Sequence, residues 1–113
     1  MSDQSKSREL TDIPRDKEGY LRNLDDWSES VAMELARDEN ISLGPGHWEV
    51  IRLLRVFYNR HQIAPANRAL VNLVKKELGS DKGRSVYLMR LFRGSPAKTA
   101  SKIAGLPKPD NCL

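Results

Sequence analysis

Cys112 is the only cysteine in the sequence and the residue with the widest chemistry open to it. It stands next to last, closing the run Gly105-Leu106-Pro107-Lys108-Pro109-Asp110-Asn111-Cys112-Leu113. A single thiol has no disulfide partner on its own chain. Chain ends are also loosely held and solvated, which makes this a poor core position. What remains is thiolate chemistry directed at another molecule, namely nucleophilic exchange at sulfur. Lys102 and Lys108 favour the thiolate, while Asp110 and the carboxylate of Leu113 oppose it, so the local charges leave its activation open. Gly105, Pro107 and Pro109 make the segment behind the thiol a hinged, stiffened arm that spans about 25 Å when extended.

A rival constellation lies upstream. Arg68, Lys75, Lys76, Lys82, Arg84 and Arg90 flank the turn Gly79-Ser80-Asp81-Lys82-Gly83. Two helices joined by a glycine-containing turn and rich in cations have the outline of a helix-turn-helix, and so of a nucleic-acid-binding regulator; an ordinary packing corner reads the same way. His47 and His61 have no cysteine beside them, which favours capping or packing over metal binding. Trp27, Phe57, Tyr58, Tyr87 and Phe92 are spaced as core residues. No phosphate-cradling glycine loop, paired carboxylates or Ser-His-Asp pattern can be assembled, and no metal or cofactor is expected. One cysteine excludes a disulfide framework and multi-cysteine structural zinc, and it fits a reducing cytoplasm.

The elements that must position the thiol are helical. Residues 1–11 are polar and aperiodic and read as disordered. Between Thr11 and Leu24, Pro14 and the Asp16-Lys17-Glu18-Gly19 cluster read as a turn joining two short strands, a small β-hairpin resting on the domain. A first helix is expected from Asp25 or Asp26 to about Asp38, with Trp27, Val31, Met33 and Leu35 in its apolar stripe. After the Gly44-Pro45-Gly46 break, a second runs from His47 to about Arg60. A third carries Pro65 in its first turn, has its stripe at Leu70, Val71, Leu73, Val74 and Leu78, and ends at Gly79. A fourth spans about Lys82 to Phe92, with Val86, Leu88, Met89 and Phe92 apolar. A fifth opens at Ser95-Pro96 and runs through Ile103, and Gly105 ends it. The fold class is mainly α (α+β): a five-helix orthogonal bundle with an N-terminal hairpin over residues 12–104, then a flexible arm over 105–113.

At 113 residues and 39% hydrophobic content, the chain supports one globular domain. No apolar run approaches the ~20 residues of a membrane helix, and the N-terminus lacks the apolar stretch of a secretory signal. Charge is unevenly spread. Residues 1–40 carry a balance of −5, and residues 41–113 a balance of +9. That asymmetry suggests an acidic partner, either nucleic acid or an acidic protein face, or else simply solvated helix surfaces.

The tail Lys102-Ile103-Ala104-Gly105-Leu106-Pro107-Lys108-Pro109 followed by Cys112 resembles the DsrC/TusE family of sulfur-relay proteins. So do Gly46-His47-Trp48-Glu49-Val50, Gly19-Tyr20-Leu21, and Lys82-Gly83 with Tyr87-Leu88. The resemblance implies a sulfurtransferase whose penultimate cysteine, here Cys112, carries persulfide sulfur, with Gly105, Pro107 and Pro109 as arm and hinge and Lys102 and Lys108 as electrostatic guides. Two-thiol members of the family carry another cysteine eleven positions earlier, where this chain has Ser101. That difference points to the single-cysteine TusE branch: a cytoplasmic relay without metal, cofactor or membrane. In that branch sulfur passes from a TusBCD-like donor complex to a tRNA 2-thiouridylase, alone or with tRNA bound, for thiolation of the wobble uridine. A single-cysteine DsrC-like role in sulfur oxidation is the alternative. Arg93 and Ser95 stand where the family pattern has proline and glycine.

Overall fold

The computed structural model describes residues 13–110, so the expected disorder of 1–11 and the Cys112 thiol itself lie outside the described residues. Among the described residues there are five α-helices: α1 Glu29–Asp38, α2 Pro45–His61, α3 Asn67–Leu78, α4 Ser85–Phe92 and α5 Pro96–Ile103. The mainly helical expectation holds.

The expected hairpin does not form. Among the described residues there is no strand, only an isolated antiparallel bridge between Arg15 and Leu21. The local chemistry favours a turn over a ladder. The Asp16 carboxylate accepts from the backbone N–H of both Glu18 and Tyr20, each at 2.9 Å, and so takes donors a ladder would use. Pro14 has no N–H to donate, and Gly19 turns the chain at φ +92°. The loop is fixed to the domain by its buried Tyr20 and Leu21.

Side-chain caps account for most of the shifts in helix boundaries. Asn23 accepts from the Asp25 N–H at 2.9 Å and caps a single 3-10 turn, Leu24–Asp26. Trp27 is then extended, and Ser28 caps α1 proper, so that helix starts later than Asp25 or Asp26. α2 starts earlier than expected, with Pro45 in its first turn after Gly44. The Gly44 N–H donates to His47 Nδ1 at 3.0 Å, so Nε2 carries the proton that reaches the Leu91 carbonyl at 2.8 Å. Both imidazole nitrogens are thereby committed, and the ring stands edge-on to Phe92 as a structural cap. Pro65 precedes α3 instead of sitting within its first turn. α4 begins at Ser85 because the Gly79 carbonyl gathers the N–H groups of Lys82 and Gly83 into a preceding turn.

The first turn of α5 is satisfied from another helix. Asn67, the first residue of α3, accepts from the Ala97 N–H at 2.8 Å, and its amide lies 3.3 Å from Ser95 Oγ. α5 packs against all four other helices. Its buried face is mostly small, with Ala97, Ala100, Ser101 and Ala104 beside Ile103, and this lets several helices approach one short axis. Val31, Leu35, Val50, Ile51, Leu54, Leu70, Val74, Leu88 and Phe92 close the core around it. Met33, Val86 and Met89, expected in apolar stripes, are exposed.

Candidate functional site

The arm leaves α5 through a locked cap. Gly105 N–H donates to the Lys102 carbonyl at 3.0 Å and Leu106 N–H to the Ser101 carbonyl at 2.9 Å, with Gly105 at φ +76°. This is the Schellman pattern, in which a left-handed residue turns two further N–H groups back onto the last turn. Leu106 is buried as its hydrophobic clasp.

Two side chains from elsewhere satisfy the next carbonyls. Trp27 Nε1–H donates to the Ile103 carbonyl at 2.8 Å, and an Arg55 guanidinium N–H donates to the Ala104 carbonyl at 2.6 Å. Arg55 also stacks over the Trp27 indole, 3.9 Å from the ring centroid. Burial pushes the Arg55 guanidinium below its ordinary proton affinity, yet a guanidinium stays charged at any physiological pH. A cation placed on the last carbonyls of a helix is favourably set against the helix dipole. The indole also lies so close to Gly105 that a Cβ there would overlap Trp27 Cδ1 and stand 2.7 Å from its Cγ. Sequence reasoning placed Trp27 in a helical stripe and gave Arg55 no role. It missed that together they hold the root of the arm; no spacing rule links residues 27, 55 and 105.

Beyond the cap, Pro107 is exposed and borders a groove with Leu21 and Leu24. Lys108 pairs with Glu18 at 3.1 Å, and Pro109 is buried. Lys102 pairs with Glu39 at 2.9 Å and lies over the Tyr20 ring, 5.2 Å from its centroid. Both proposed guiding cations therefore sit on carboxylates contributed by the acidic part of this same chain. The Tyr20 hydroxyl donates to the Lys98 carbonyl at 3.2 Å and ties the 16–22 turn to α5.

Ser101, eleven positions before Cys112, has a fully buried side chain. Its Oγ has no hydrogen-bond partner among the described residues. A buried hydroxyl left unpaired is a net cost, so removing it should stabilise the domain. Ser101→Ala is expected to raise the melting temperature by several degrees, on the order of 1 kcal/mol for a domain of this size. Differential scanning calorimetry checks it, and an unchanged or lower Tm would show that the hydroxyl finds a partner.

The basic corner has a packing explanation. Gly83 abuts the backbone of Lys75, and Lys82 is held by Glu49 at 2.8 Å, a hydrogen bond that raises its proton affinity. Arg68, Lys75, Lys76, Arg84 and Arg90 remain exposed. Among the described residues, no three His, Cys, Asp or Glu side chains gather to hold a metal ion, and no helix is long and apolar enough to cross a membrane.

These features define a small helical domain that presents a C-terminal arm from a rigid socket. The family model described as DsrC like protein matches residues 8–113, and the chain belongs to this family. It is 52% identical to the sulfurtransferase TusE of Sodalis glossinidius, over 91% of this chain and 95% of that protein. Identity to the Escherichia coli K12 sulfurtransferase TusE is 50%, over 90% and 94%. The NMR structure of Allochromatium vinosum DsrC superposes with a TM-score of 0.80 at 49% identity, covering 88% of each chain. The oxidized DsrC, the gamma-subunit of the dissimilatory sulfite reductase of Archaeoglobus fulgidus, gives 0.78 at 40% identity, over 89% and 92%. The chain is accordingly a sulfurtransferase with a single thiol.

Proposed function

We propose that Cys112 accepts sulfane sulfur as a persulfide from a TusBCD-like donor complex and hands it to a tRNA 2-thiouridylase for wobble-uridine thiolation in the cytoplasm. One observation carries this reading: a chain about half identical to TusE sulfurtransferases over nine-tenths of its length has a single cysteine, Cys112, and so no second thiol to pair with it. Without that thiol, the carried sulfur cannot leave by closing an internal disulfide. It has to leave by exchange with another molecule's thiol.

In the first exchange the Cys112 thiolate attacks the outer sulfur of a donor persulfide. One S–S bond forms, the donor's S–S bond breaks, and the donor leaves as a thiolate. The second exchange repeats this in reverse on an acceptor cysteine. No net oxidation occurs and no cofactor is consumed. The arm moves beyond the cap that Gly105 locks, and Pro107 and Pro109 keep it stiff. When the arm swings out, Lys108 leaves Glu18 and can face acidic or RNA-rich surroundings, whereas Lys102 stays on Glu39 and steadies the socket.

After incubation with a persulfurated donor, intact-mass and peptide analysis should find one added sulfur on Cys112. The same increment retained in Cys112→Ser would overturn the assignment. Cells lacking the protein should lose tRNA 2-thiouridine. Unchanged content would overturn the tRNA destination and move the relay to sulfur oxidation.

A further inference from the structure

Helices α3 and α4 both pack on α5, and between them the surface opens into a groove of about 400 Å³. Val71 of α3, Leu88 and Met89 of α4 and Pro96 of α5 give it apolar walls. Two of its polar lining residues are already engaged: Asn67 lies 3.3 Å from Ser95 and accepts from the Ala97 N–H. What the groove offers a visitor is therefore mainly apolar. Met89 is 49% exposed, and Val86, one turn earlier on α4, is 56% exposed. A groove with large apolar side chains left open beside it has the make-up of a docking surface.

The surroundings are cationic. Residues 64–96 hold Arg68, Lys75, Lys76, Lys82, Arg84, Arg90 and Arg93 against only Glu77 and Asp81. Lys82 is held by Glu49, and Glu77 lines a different groove, together with Leu53 and Lys76. Arg68, Arg84 and Arg93 adjoin the groove residues Asn67, Ser85 and Gly94 in the chain. All three are exposed, and none has a carboxylate partner among the described residues.

We infer that this groove docks an acidic amphipathic helix of a partner protein. Its apolar stripe seats against Val71, Leu88 and Met89, and its carboxylates face Arg68, Arg84 and Arg93. Two helices with an uncovered apolar cleft between them accept a third by ordinary helix packing. The cations choose the partner: a basic helix is repelled, and an acidic one is drawn in and oriented. A polynucleotide would answer the arginines but leave the apolar walls unmet, so the two features together favour a protein. The inference goes beyond the relay reading and does not depend on it, because the arm and its thiol take no part.

The test is fluorescence anisotropy of a labelled synthetic peptide titrated with the full chain. The peptide has about 16 residues, enough to form a helix, with leucines on one face and glutamates elsewhere. Wild type should bind it saturably, and the same peptide with lysine for glutamate should not bind. Met89→Gln, a change at an exposed position, should weaken binding about tenfold. Arg84→Gln combined with Arg93→Gln should weaken it by a similar factor and flatten its salt dependence. Lys76→Gln, on the other groove of α3, should bind as wild type does. Circular dichroism confirms that each variant keeps its helical content. The inference is overturned by absence of binding tighter than about 1 mM, by equal binding of the lysine peptide, or by undiminished binding in Met89→Gln. Unfractionated tRNA is titrated in parallel. If tRNA binds, loses affinity in the arginine variant and the peptide does not bind at all, the acidic helix is overturned in favour of a nucleic-acid surface.

Discussion

Replacing Gly105 with alanine is expected to lower the melting temperature by roughly 15 °C, equivalent to about 3 kcal/mol in a domain of this length. Two independent costs combine. At φ +76° an L side chain is strained. The new Cβ would also overlap the Trp27 indole, which cannot retreat without giving up the hydrogen bond to the Ile103 carbonyl and its stack against Arg55. Thermal unfolding followed by circular dichroism checks the size of the effect. A double-mutant cycle checks its cause: in a Trp27→Ala background the Gly105→Ala cost should shrink to the conformational part alone. A full-sized cost in that background would show that the indole does not confine the cap.

The second large effect is expected at Gly83. Its backbone lies against α3 so closely that a Cβ would overlap Lys75 Cβ and Cα and stand 2.6 Å from the Lys75 nitrogen. A helix backbone cannot yield as a side-chain tip can, so Gly83→Ala should cost about 3 kcal/mol by forcing the turn off α3. The two variants should differ in what else they disturb. Gly105→Ala displaces the socket of the arm and should alter Cys112 alkylation. Gly83→Ala acts at the α3–α4 corner and should leave alkylation unchanged under conditions where the chain is folded. A Tm within a degree of wild type would refute the contact.

Helical content was legible because apolar residues recur at helical spacing and glycines punctuate the elements; Gly79 and Gly105 stop α3 and α5 as read. The hairpin was misread because Asp16 resembles ordinary turn chemistry in sequence, and only the fold shows its carboxylate consuming the donors a ladder would need. Met33, Val86 and Met89 fit the helical period but lie at stripe edges that no other element covers. Of the site, the arm and its thiol were visible in residue types alone. The socket was not, because Trp27, Arg55 and Asn67 act on α5 from distant points in the chain. The charge asymmetry suggested an external acidic partner. In the fold, part of it closes internally, through Glu39 on Lys102 and Glu18 on Lys108.

The place of α5 at the hub of the bundle has a consequence for synthesis. Among the described helices α2 and α4 pack on each other directly, but α5 is the one that packs against all the others, so the bundle closes fully only once residues 96–106 have emerged from the ribosome. Core completion and construction of the arm's root are therefore one event. A ribosome that stalls before that point releases a chain whose apolar faces stay uncovered and open to proteolysis. Any domain that survives as a folded body has therefore already built the base from which the arm extends.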